Sequence, residues 1–189
     1  MTLRRLTPAV AEAVPLDDFL DHLRLSLGLT DPPTETPAAE RALAGAVAAI
    51  ERSASLACLR QTWKWDLPTW TNARSERLPI LPVLTVASVS AIAQDGRLTP
   101  FEPSTWRQSD DQIHAVGALL PAPGPGGVQV VFEAGFGDDH TDLPADLKQA
   151  VLLLAAHYYE RRHAVDASSV RSMPNGLQSL LAPFRQLRL

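Results

Sequence analysis

The chain has 189 residues, of which 46% are hydrophobic and 20% charged, with a formal net charge of −4. This composition belongs to a globular chain long enough to bury a core, and it excludes a disordered chain and a bulk basic field that would grip nucleic acid. The single cysteine, Cys58, excludes an intrachain disulfide and a cysteine-rich metal site.

Residues 1–14 read as a loose N-terminal arm with no signal peptide, since no long apolar run precedes a cleavage site. The apolar stretch 150–156 is far shorter than a membrane span. The expectation is a soluble protein made in the cytoplasm. Sixteen prolines predict many turns and extended connections.

Pro15 suits the first turn of a helix. Leu16, Phe19, Leu20, Leu23 and Leu27 then follow helical spacing, and Gly28 ends the run. A proline-rich connection leads to a second helix, with Thr36 as cap, Pro37 at its first position and Glu40 nearby. Its apolar stripe is Leu43, Val47, Ile50, Ala54 and Cys58.

The middle changes period. Residues 61–67 alternate, with Thr62, Lys64 and Asp66 against Trp63, Trp65 and Leu67, which predicts a half-buried strand. Residues 86–93 and 96–101 predict a hairpin around Asp95-Gly96. Residues 112–116 and 128–134 predict two more strands, while 72–77 and 108–111 read as exposed loops.

A third helix is predicted from Pro144 to His163. Leu147, Val151, Leu154 and Tyr158 form one apolar face, and Leu152, Ala155 and Tyr159 form another. A surface helix needs one stripe; two imply burial on two sides, in a bundle or against a neighbouring subunit. After a polar stretch, Leu177, Leu180, Leu181, Phe184 and Leu187 make an amphipathic tail interrupted by Pro183.

Chemistry-bearing residues are few. Asp138, Asp139, His140 and Asp142 offer oxygen ligands for calcium or magnesium, but no calcium-loop spacing is present, and a solvated loop before a helix is the favoured reading. Gly135-Phe136-Gly137 lacks the rest of a phosphate loop and reads as a turn. Cys58 reads as a buried thiol rather than a nucleophile, and no Gly-x-Ser-x-Gly occurs. His157 reads as a core or interface histidine. Trp63, Trp65, Trp70 and Trp106 fall in the β region and suit a core or interface, or else a sugar-stacking platform. Arg161 and Arg162 end the third helix, where its dipole favours cations.

Five stretches in this order carry a resemblance: LDDFLDHLRLSL from Leu16, AAIERSASLACLRQTW from Ala48, LPILPVLTVASVSAI from Leu78, the strand-to-helix passage 130–162 containing AGFGDD and DLPADLKQAVLLLAAHYYERR, and the terminal SLLAPFRQLRL. Together they resemble the head-tail connector (adaptor) proteins of long-tailed phages and of phage-derived gene transfer agents. Residues 1–14 and the proline-rich linker have no counterpart in that pattern, and its paired-proline turn is split here as Pro79 and Pro82. The resemblance implies a structural virion protein, made in the bacterial cytoplasm and placed at the head-tail junction. It implies a ring of roughly twelve copies closed by heterologous contacts. The C-terminal segment would dock onto the portal, a stopper or tail protein would sit on the far side, and double-stranded DNA would pass through without sequence specificity. No enzyme activity, cofactor or metal is implied.

The fold expected is α+β, mainly α: a small helical bundle with a β-rich insertion between the second and third long helices and an extended C-terminal tail. The parts are an arm (1–14), a helical part (15–60), the β-rich insertion (61–135), a core helix (136–165) and the portal-docking tail (166–189). An exposed amphipathic tail is an anchor for a partner's groove. The expected docking residues are Leu177, Leu180, Leu181, Phe184, Arg185, Leu187 and Arg188; the expected ring contacts include Leu152, Tyr159 and Arg162. Two other readings compete: a carbohydrate-binding or tail-tip module using the tryptophans, and a metal-dependent hydrolase using the 138–142 cluster.

Overall fold

A computed structural model of the chain describes residues 1–7, 13–27, 36–161 and 176–184. It divides into two compact units: a β unit of residues 1–9 and 60–136, and a helical unit of residues 10–59 and 137–189.

The β unit holds β1 (Thr2–Arg5), β2 (Gln61–Leu67), β3 (Ser75–Arg77), β4 (Val83–Ile92), β5 (Leu98–Pro100), β6 (Trp106–Ser109), β7 (Gln112–Ala115) and β8 (Gly127–Ala134). They form a five-stranded sheet in the order β1-β2-β8-β4-β5 and a three-stranded sheet in the order β3-β7-β6, with every pairing antiparallel. Residues paired across antiparallel strands share a face. Trp65 and Val89 flank Val130, and Leu67 and Ala91 flank Val128. Val128, Val130 and Phe132 are fully buried, so this face of the sheet is the core of the unit. The opposite face is polar: Gln129 Nε2 donates to Asp66 Oδ1 at 3.0 Å, and Lys64 lies 3.7 Å from Asp66. Gln108 of β6 ties the two sheets together by accepting from the Val86 N–H at 2.8 Å.

The hairpin predicted at Asp95-Gly96 is present, with Gly96 at φ +82°, a conformation L side chains rarely adopt. Three strands arise where none was predicted. Residues 2–5 pair with β2 instead of trailing as an arm, β3 lies within the segment 72–77 read as a loop, and β6 overlaps the start of the segment 108–111.

The helical unit holds α1 (Leu16–Leu27), α2 (Thr36–Ala54), α3 (Ala145–Glu160) and α4 (Leu177–Leu181). α3 packs against α1, α2 and α4. Much of its two apolar stripes is thereby covered within the chain: Leu147, Val151, Leu154, Ala155 and Tyr159 are buried, while Leu152 and Tyr158 are half-buried. α2 stops at Ala54, because Ser55 turns to the left-handed φ of 54° and the Leu56 N–H reaches back to the Glu51 carbonyl at 3.0 Å. Cys58 is buried, but it follows the helix and is not on its stripe.

The mainly helical expectation is therefore corrected. Four helices are present among the described residues, alongside two antiparallel sheets, and the protein is not a small bundle with an insertion. The physical reason is the sheet core: β8 is flanked on both sides by long strands, so the β residues bury a complete apolar face of their own.

Candidate functional site

The tail begins at Gly176, whose φ of +87° lets the backbone turn into α4. Leu177 and Leu181, four residues apart, share one side of this short helix and are fully buried in their own unit, where α4 packs on α3. Leu180 and Phe184 are half-buried, and the 3-10 turn Ala182–Phe184 accommodates Pro183. Arg185, Leu187 and Arg188 lie outside the described residues. Of the expected ring contacts, Leu152 is half-buried, Tyr159 is buried, and Arg162 lies outside the described residues.

The acidic segment before α3 closes on itself. Asp142 Oδ2 accepts the backbone N–H groups of Asp138 (3.1 Å) and Asp139 (3.3 Å). Asp139 Oδ1 accepts the Thr141 N–H at 2.9 Å and lies 2.8 Å from His140 Nδ1. The Thr141 N–H first, then the charges of His140 and Lys148, hold the Asp139 carboxyl below its ordinary range. Gly137 lies directly against the Asp142 carboxylate, where a Cβ would collide. These oxygens thus serve the loop, and among the described residues no group of three or more His, Cys, Asp or Glu side chains is placed to hold a metal ion. A groove of about 800 Å³ beside this segment is lined by Leu16, Leu43 and Leu59 with Glu40 and Arg41. It presents no nucleophile with an adjacent base.

The tryptophans do not form an open platform. Trp65 is in the core, and Trp70 is buried with its indole N–H donating to the Pro121 carbonyl at 2.8 Å. Trp63 and Trp106 are half-buried, and the Arg5 guanidinium stands 5.9 Å from the centroid of Trp63. A sugar-stacking surface needs exposed rings, and this arrangement does not supply them. Burial also pushes the Cys58 thiol well above its ordinary pKa, with the Glu51 charge adding to the effect.

Two surfaces escaped the sequence reading. On the three-stranded sheet, Ser75, His114 and Arg107 lie side by side across β3, β7 and β6. Arg107 and His114, with Arg74, Ala115, Gly117 and Ala118, line a shallow cavity of about 380 Å³. On α1, Asp18, Asp21 and Leu25 recur at steps of three and four and are all exposed. The first surface had no sequence signal, since only strand pairing brings residue 74 near 107 and 114. The second was legible from the helix period alone.

The profile of the phage gp6-like head-tail connector proteins matches residues 128–185. No curated protein matches the chain. Among solved structures it is similar to a chain in the virion of a native gene transfer agent particle, with 38% identity, a TM-score of 0.86, and coverage of 100% of this chain and 97% of that one. It is similar to chains of the neck of an empty gene transfer agent particle computed with C6 symmetry (37%, TM-score 0.85) and of the native neck computed with C12 symmetry (35%, TM-score 0.81), each with the same coverage. The chain belongs to the phage gp6-like head-tail connector family.

Proposed function

We propose that this protein is a structural connector of the head-tail junction in a gene transfer agent or phage-like particle. Copies of it assemble into a ring of about twelve between the portal and the tail or stopper, and double-stranded DNA passes through the opening. The observation that carries this reading is the likeness, over the whole chain and at 35–38% identity, to chains of gene transfer agent necks and virions, the necks having cyclic symmetry. An acidic subunit of net charge −4 suits a conduit, because strong phosphate binding would hold a strand that has to move.

The C-terminal segment is the portal anchor in this reading. Leu177 and Leu181 fasten α4 to α3. Leu180 and Phe184, with Arg185, Leu187 and Arg188 beyond them, then meet the portal. Leu152 and Arg162 join neighbouring copies, and Tyr159 braces α3 from within. Removal of all residues from 174 onward would strip Leu177 and Leu181 from the core, so the informative test removes only residues 185–189 and changes Phe184→Ala. Heads are expected to accumulate without tails, counted by electron microscopy. Joined particles at normal yield would overturn the docking role.

A further inference from the structure

The three-stranded sheet carries a cluster of basic groups that the chain leaves unneutralised. Arg107 and His114 are direct cross-strand partners, and Arg74 stands beside them at the same cavity. Arg74 and Arg107 are exposed, and His114 is half-buried. Among the described residues none of the three side chains has an acidic partner. Of the neighbouring carboxylates, Glu76 is buried and accepts from the Thr71 N–H, Asp111 pairs with Arg77 at 2.6 Å, and exposed Asp110 forms no ion pair with the cluster. Beside the cavity, Val116 and Leu119 are 57% and 60% exposed. The patch is therefore cationic with an apolar lip, a combination found at protein interfaces, where arginine is enriched and apolar surface becomes covered. A bare phosphate backbone would satisfy the arginines and leave the apolar lip in water.

The outer face of α1 has the complementary character. Asp17, Asp18 and Asp21 are exposed, half-buried His22 lies beside them, and Leu25 is 76% exposed. Among the described residues the one ion pair on this face, Arg24 to Asp21 at 3.7 Å, is an exposed i,i+3 contact of the weak kind. A ring closed by heterologous contacts needs two unlike, mutually complementary patches on every copy. These two patches are unlike in charge, and each has exposed apolar side chains to bury.

We propose that the Arg74, Arg107 and His114 cavity, with its Val116 and Leu119 lip, receives the Asp18, Asp21 and Leu25 face of α1 from the neighbouring copy in the ring. This inference rests on the ring reading above and adds the residues that join one copy to the next. Opposite charges set the register of the contact, and Leu25 covers the lip.

The test uses complete particles. Arg74→Glu with Arg107→Glu, or Asp18→Lys with Asp21→Lys, is expected to lower the yield of joined particles by about tenfold, because each places like charges face to face. Combining all four changes restores the opposite-sign pairing and is expected to bring the yield back to within about threefold of the natural protein. A gentler pair, Arg107→Cys with Asp21→Cys, reads the contact directly. Mild oxidation of particles should give a ladder of linked connector copies, with Cys58 silent because it is buried. No ladder from particles that carry several connector copies at the neck overturns the α1 contact while the ring stands. Particles carrying a single copy overturn the ring itself. An absent ladder together with altered, salt-sensitive retention of DNA in the charge-reversed particles would assign the cavity to DNA phosphate, and the proposal would fall.

Discussion

The backbone N–H of Cys58 donates to the Glu51 side-chain carboxylate at 2.9 Å, so a buried residue just past α2 is held by a residue of that helix. This bond and the Leu56 N–H to the Glu51 carbonyl close the end of α2 and bury the thiol. Burial, and secondarily the Glu51 charge, raise its pKa above the ordinary 9.0. Because the folded state keeps its proton while the unfolded chain loses it, stability from this group is complete below about pH 9 and declines as pH rises further. Cys58 is therefore expected to resist alkylation at pH 8 in the native protein and to react at once in denaturant. Rapid labelling of the folded chain, followed by mass spectrometry, would contradict the buried geometry.

The loop before α3 titrates in the opposite sense. Asp139 has a carboxyl lowered from its ordinary 3.8 by the Thr141 N–H, so its contribution is present above that value and is lost as pH falls through the lowered pKa. Acidification below about pH 4 should loosen this segment first, seen as earlier amide exchange at residues 138–142. Gly137→Ala attacks the same loop sterically, since the new Cβ displaces the Asp142 carboxylate from the N–H groups of Asp138 and Asp139. Its expected cost is about 1–3 kcal/mol in chemical denaturation. An unchanged midpoint would show that the loop does not depend on that carboxylate.

Legibility in the sequence followed the length and period of each element. Residues 61–67 alternate, and residues 128–134 place Val128, Val130, Phe132 and Ala134 at every second position, so both strands could be read directly, as could the Asp95-Gly96 turn. β1 is four residues, TLRR, whose partner lies some sixty positions away, and no local pattern announces a pairing that distant. β3 and β6 are also short, with SER and the RQS of WRQS polar, so 72–77 and 108–111 read as loops until β7 joins the two strands. Without those strands the β residues looked like an insertion on a helical bundle. For the tail, periodicity finds an apolar face but cannot say who covers it. α3 covers Leu177 and Leu181. Ser55 likewise gave no warning that α2 would stop before Cys58, because serine does not mark a left-handed position as glycine does.

The β unit depends on the central strand. Phe132 is fully buried between Trp63 of β2 and Val86 of β4. Phe132→Ala should destabilise the protein by about 3–5 kcal/mol, the transfer cost plus a cavity. Leu98→Ala on the edge strand, where the side chain is 43% exposed, should stay within about 0.5 kcal/mol. Guanidinium unfolding followed by tryptophan fluorescence measures both. Equal effects would mean that the sheet core does not hold the unit together.

The tail separates folding from assembly, because its leucines divide between two roles. Leu177 and Leu181 are fully buried, so alanine at either should cost about 2–5 kcal/mol through lost burial and a cavity, with assembly failing as a consequence of a loosened α4. Leu180 and Phe184 keep part of their surface outside the unit. Leu180→Ala with Phe184→Ala should therefore cost less in thermal unfolding of the isolated chain than either buried change, while reducing head-tail joining at least as much. The comparison is made on one set of purified proteins and matched particle preparations. If joining tracked melting temperature across all four substitutions, the tail's outer side would be serving the fold alone. If the outer pair lowered joining while the melting temperature held, the exposed surface of α4 and its following turn would be the part that meets the partner.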